Sequence, residues 1–316
     1  MYIMRKDISE MLRDFHVPSD EELHEIIKNQ EKLERICHYT SLDTFIRIIE
    51  GVKDDCFIFH AGSIYTMNDR QEMLLGYESI KKYLLEVEKE LQVSYDDSML
   101  NFCLDKTQNN EICDKFGEWM INDDTTSFVV SFSGQSDFLP MWSLYGDIGA
   151  GVCLEFAPYR IKEYYKQRPN HTFVSIERCR YNEEEIKLYL KESVNIIYRM
   201  FLENVDKDKR KEPLEKAKYL ATMCNLLGTC IKNEGFAYEQ ERRMILYRHK
   251  DDWRFKPTVD NFLSAYIEAP IPISALTNII IGPAADMDKV RNGLKLLLRT
   301  KGINIEPNQS TIPFRH

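Results

Sequence analysis

Tyr238-Glu239-Gln240-Glu241-Arg242-Arg243-Met244-Ile245-Leu246-Tyr247 opens with charge and closes with apolar residues. β-formers are frequent in its second half, so it reads as a strand with an acidic start. Side chains two apart on a strand share a face, which sets Glu239 and Glu241 side by side, about 6–7 Å apart at the Cα level. Parallel carboxylates on one sheet face repel. Two explanations are open. One is a solvated strand start whose acids Arg242 and Arg243 neutralise. The other is a site that needs two acids.

Upstream of this stretch, residues 182–232 are charged and helical in pattern, with Pro213 as the one break. They join two strand-rich regions and read as an inserted helical arm or lid. Further back, Ser127-Phe128-Val129-Val130-Ser131-Phe132-Ser133 is the clearest strand, ended by Gly134 and Asp137. Alternation turns Ser131 and Ser133 one way and Phe132 the other. A short helix is expected to carry Met141-Trp142-Ser143-Leu144-Tyr145, with Trp142 and Tyr145 on one face. Strands are expected over 149–156 and 172–179.

Toward the N-terminus, residues 71–92 are amphipathic and helical, with more helix around 98–121. Strands are expected over 55–60 and 35–39, the latter holding Cys37, His38 and Tyr39. Thr40 can cap a helix over 41–50. The first 35 residues read as a helical segment, Ser19 and Glu22 forming a capping box. Downstream, strands are expected over 265–268 and 278–281, then a helix over 287–300 stopped by Gly302. Helices and strands mix without a regular βαβ beat, so a single α+β domain over 1–316 is expected.

The bulk numbers narrow the class. The 316 residues are 43% hydrophobic and 29% charged, ordinary for a globular protein. A net charge of −9 argues against broad nucleic-acid binding, though not against a local basic patch. The eight cysteines form no C-x-x-C pair and match no zinc spacing. With no signal-peptide pattern at the N-terminus and no long apolar run, the expectation is a cytoplasmic protein with reduced thiols and no membrane partner. H-E-x-x-H, calcium-loop, G-x-S-x-G and P-loop patterns are absent. Gly149-Ala150-Gly151 lies in an expected strand, so it is no dinucleotide fingerprint.

Some residues still suit a ligand. A histidine at position 38 can donate to a hydroxyl, and Tyr39 can stack on a ring. Ser131 and Ser133 can orient a carboxylate or a ribose. Each also has a plain structural reading: a satisfied histidine, a core tyrosine, a polar strand end, and core packing for Trp142 and Tyr145.

Taken in series, the segments resemble a bacterial family, domain of unknown function 2971. The stretches that carry the resemblance are His38-Tyr39-Thr40-Ser41, Asn68-Asp69-x-x-Glu72, Ser131-Phe132-Ser133, Met141-Trp142-x-x-Tyr145, Gly151-x-x-Leu154, Phe236-x-Tyr238-Glu239-x-Glu241-x-Arg243, Ile280-Ile281-Gly282-Pro283 and Ser310-x-Ile312-Pro313-x-Arg315. A weaker resemblance, to the ADP-ribosyltransferase superfamily, supplies a chemistry. The order His-Tyr, then Ser-x-Ser, then Glu-x-Glu looks like that superfamily's site.

The second resemblance implies a split β-sheet core with helical insertions, and NAD as substrate. It makes Glu241 catalytic and gives Glu239 a part in activating the acceptor. His38 would bind ribose, Ser131 and Ser133 would orient the acid, and Tyr39, Thr40, Trp142, Tyr145 and Tyr238 would complete the nucleotide site. The expected activity is transfer of ADP-ribose to an unidentified acceptor, in phage defence or as a toxin. A nucleotide-binding sensor without turnover and a metal-dependent nuclease or phosphoesterase are the alternatives.

Overall fold

Strand β3 organises the molecule. In the computed structural model, which describes residues 34–64, 70–100, 125–168, 174–257 and 263–313, it spans Thr125–Ser133. Its β-branched and aromatic residues favour a pleated surface. One edge pairs along its whole length with β6, Glu241–His249, from Thr125↔His249 to Ser133↔Glu241. The other edge is shared. Near Phe128 and Val129 it pairs with β2, Cys56–Ser63, and at Ser133 it pairs with Cys37 of β1, Ile36–Thr40. The sheet divides between those two contacts.

Beyond β1 lie β4 (Val152–Phe156), β9 (Leu276–Ile281) and the short β10 (Asn308–Gln309). Beyond β2 lie β8 (Leu263–Pro272) and β7 (Arg254–Pro257), and β5 (Val174–Arg178) flanks β6. The pairing is antiparallel except between β9 and β10. The fold is therefore α+β on an open, mostly antiparallel sheet.

Three helices cover one face: α1 (Leu42–Glu50), α4 (Pro158–Lys166) and α7 (Met287–Thr300). Phe45, Ile161 and Leu298 from them meet Phe57, Phe128, Phe132 and Phe156 of the strands in the main core. Fully burying each such side chain contributes roughly 1.5–3 kcal/mol. Helix α1 starts where Ser41 accepts a hydrogen bond from the Thr44 amide at 3.2 Å, so Ser41 is the cap and not Thr40. On the opposite face, α3 (Leu139–Tyr145) seals Met141 and Trp142 over Cys37, Tyr39, Cys153 and Ile280.

A second apolar cluster joins α2 (Arg70–Glu90), α5 (Glu183–Asn204) and α6 (Pro213–Leu226). Asn182 caps α5 by accepting from the Glu185 amide at 2.9 Å, and three glutamates occupy its first turn, the favourable end of the helix dipole. The expected arm over 182–232 is thus two helices and a 3-10 turn, Gly228–Cys230. Cys230 and Tyr189 pack this unit on Val129 and Ile245 of the sheet.

Some local expectations need correcting. The acidic strand starts at Glu241, because Glu239 closes a 3-10 helix, Glu234–Glu239, and Gln240 between them is left-handed with φ 43°. The strand expected from Gly149 starts at Val152. The Gly149–Gly151 turn precedes it, and a Cβ on Gly151 would lie 2.1 Å from the Thr40 carbonyl oxygen. Strand β7, only four residues long and exposed throughout, carries no apolar pattern by which to expect it. The helical segment expected before residue 34, most of that around 98–121, and Asn68-Asp69 lie outside the described residues. Among the described residues no helix is long and apolar enough to cross a membrane.

Candidate functional site

Gln240 turns the chain sharply between the two acids. Its carbonyl accepts from the Gly134 amide at 2.8 Å, which pins the turn to the end of β3. Glu239 and Glu241 then approach one cation from two directions. Lys232 Nζ donates to Glu239 Oε2 at 2.6 Å and to Glu241 Oε2 at 2.9 Å. Arg243, two residues on and on the same strand face, grips Glu241 from the other side, Nε to Oε1 at 2.8 Å and Nη2 to Oε2 at 3.0 Å. Its Nη1 donates to the Thr229 carbonyl at 2.6 Å. Tyr145, at the end of α3, donates its hydroxyl to Glu239 Oε1 at 2.9 Å.

Lys232, Glu239, Glu241 and Arg243 are 7%, 4%, 4% and 2% exposed, which rules out a solvated strand start. Of the two arginines expected to neutralise the acids, Arg243 does so, in the interior, whereas Arg242 lies 3.6 Å from Glu34 instead. Two cations balance two carboxylates, and Lys232 bridges the acids that would otherwise repel. Burial disfavours the Glu241 carboxylate, yet Arg243, Lys232 and the Ser131 hydroxyl outweigh it and bring its pKa down to about 2. Burial likewise opposes the Lys232 ammonium, but Glu241 and Glu239 hold its pKa well above the ordinary lysine range. The Tyr145 hydroxyl is raised by burial first and by Glu239 second.

The other expected site residues divide into exposed and buried ones. Ser131 is exposed, shares the strand face of Glu241, and its hydroxyl is one of the groups that lower the Glu241 pKa. Tyr145 and Tyr238 are 48% and 37% exposed, and through its hydroxyl Tyr145 links the buried Glu239 to the surface. Ser133 is buried and holds backbone: its hydroxyl donates to the Glu239 carbonyl at 2.7 Å and accepts from the Gln135 amide at 3.0 Å. Trp142 is fully buried, its Nε1 donating to Asp137 at 2.9 Å, although Tyr145 three residues on is open. Tyr39 is buried against Trp142 and donates its hydroxyl to the Gln135 carbonyl at 2.8 Å. Thr40 is buried at the end of β1.

His38 lies apart. Cys37 faces the same way as Ser133 and Glu241, so His38 faces the other. Its ring packs edge-on to Phe59 and Phe132 at 5.0 and 5.9 Å, and its Nδ1 donates to the Ser131 carbonyl at 3.4 Å. Desolvation takes its pKa down to about 4 against the pull of that carbonyl, so the imidazole is neutral. The histidine and the acid pair thus flank one strand from opposite faces.

Sequence reasoning did not single out Lys232 or Tyr181. Tyr181 accepts the Glu241 amide at 2.7 Å, extending the network into the backbone. Neither residue stands in a pattern: the pairing of β5 with β6 brings Tyr181 to Glu241, and the 3-10 helix and Gln240 turn fold the acids back onto Lys232. Arg243 had a signal, because strand alternation puts it on the same face as Glu241. Among the described residues no group of three or more His, Cys, Asp or Glu side chains is arranged to hold a metal.

No curated protein and no solved structure matches the chain. Residues 141–244, which carry Tyr145, Lys232, Glu239, Glu241 and Arg243, match the family model described as protein of unknown function (DUF2971), and this match supports the family resemblance read from the sequence.

Proposed function

We propose that the chain is an ADP-ribosyltransferase-like protein that takes NAD or a related nucleotide beside Glu239 and Glu241. The observation that carries this reading is a buried carboxylate, Glu241, kept ionised on the same strand face as the exposed Ser131 and beside Glu239, which the half-exposed Tyr145 contacts. Cleaving a nicotinamide–ribose bond builds positive charge on the ribose. A fixed carboxylate stabilises that charge more in the transition state than in the ground state. Glu241 is in the required acceptor form at neutral pH. In the resting arrangement Arg243, Lys232 and Ser131 occupy it, so turnover requires one donor, Lys232 being shared with Glu239, to give way to a ribose hydroxyl.

That same occupancy favours a second reading, nucleotide binding without turnover. Nicotinamide release from NAD by the purified chain, with calorimetry on NAD and ADP-ribose, separates the two. The enzyme reading expects nicotinamide release, and a loss on the order of 10²-fold in Glu241→Gln. Binding without product supports the second reading. Neither binding nor release overturns both.

A further inference from the structure

On the other face of β6 we infer a second site, a cleft for the diphosphate group of a small molecule. Arg242 points away from the acid pair, since neighbours on a strand face opposite ways. Arg178 of β5 stands directly across from it in the ladder. Like charges so placed repel unless something offsets them. Both arginines line a cavity of about 230 Å³, and Lys162 of α4 closes it from the helix side.

The acids nearby leave this positive charge incompletely paired. Glu34 also lines the cavity, yet lies 3.6 Å from Arg242, too far for a bidentate grip. Glu177 is 3.8 Å from Arg180, and Glu185 takes one nitrogen of Arg178 at 2.7 Å. Strand alternation turns the Glu177 carboxylate to the other face, toward Arg180, so Glu34 and Glu185 stand against Lys162, Arg178 and Arg242, one cation in excess in a chain of net charge −9. Two guanidinium forks side by side on the sheet, with the Lys162 ammonium on the helix side, suit tetrahedral oxyanions, and Tyr159 adds a ring at the wall. The site does not depend on the Glu241 reading, because the thickness of the sheet separates them.

Titration of the full chain with inorganic pyrophosphate at low salt, followed by calorimetry, is the test. The wild type is expected to bind, and Arg178→Gln, Arg242→Gln and Lys162→Gln each to weaken binding about tenfold or more. Lys162 is exposed on its helix, so its variant tests the site even if an arginine variant misfolds. Lys256→Gln, an exposed charge on β7, is expected to bind as wild type. Absence of binding at millimolar pyrophosphate overturns the inference. So does an equal loss in Lys256→Gln, or no loss in the Lys162 variant.

Discussion

Lys232 holds together two carboxylates that would otherwise face each other inside the protein. Its worth is asymmetric. A buried ion cluster adds little net stability, because desolvation offsets the attraction, but removing one member leaves charge stranded. Lys232→Met leaves Glu239 and Glu241 with Arg243 alone and is expected to cost about 3–5 kcal/mol in urea unfolding. Adding Glu239→Gln in that background is expected to recover part of the loss, since it removes one stranded charge. A double variant no more stable than Lys232→Met would show that the two acids do not interact through the lysine.

Helix α2 reaches the sheet through its contact with the 3-10 turn at Gly228. A Cβ on Gly76 would lie 2.7–3.0 Å from the Gly228 backbone, closer than real contacts allow, and backbone on both sides cannot yield. A Cβ on Gly228 would meet only the Ile80 side chain and the Gly76 backbone, at 3.6 Å and beyond. Gly76→Ala is therefore expected to destabilise by about 1–3 kcal/mol. Gly228→Ala is expected to stay near wild type, and thermal unfolding of the pair measures the contrast. The same turn leads directly to Lys232, so the element that closes the second core also delivers the cation to the acids. The span of α2 was legible in its amphipathic pattern and the helical character of 182–232 in its composition, with Pro213, the expected break, starting α6. Their destination was not, because an amphipathic face states what must be buried and not against what.

At the scale of the whole molecule, two groups on opposite faces of the sheet couple stability to pH. His38 has a folded pKa of about 4 against an ordinary 6.5, so its contribution is full above 6.5 and is lost as pH falls through 4. Glu241 has a folded pKa of about 2 against 4.5, so its contribution, about 3 kcal/mol, is lost only as pH falls from 4.5 through 2. Unfolding free energy is expected to drop between about pH 7 and pH 5, and His38→Phe to flatten that drop. An unchanged slope in His38→Phe would show that the histidine is not held neutral. Much here followed from the chain alone: the strand character of Ser127–Ser133, the opposite facing of Phe132 and the serines, and most element positions. These are local properties, set by side-chain period and cap chemistry over a few residues. The left-handed Gln240, with no glycine to signal it, the convergence of Lys232, Glu239, Glu241 and Arg243, and the parting of His38 from the acids came with folding. They depend on which strands pair and on how the 3-10 helix and the Gln240 turn fold Glu239 and Glu241 back onto Lys232 within 3 Å, and no local sequence pattern encodes that turn.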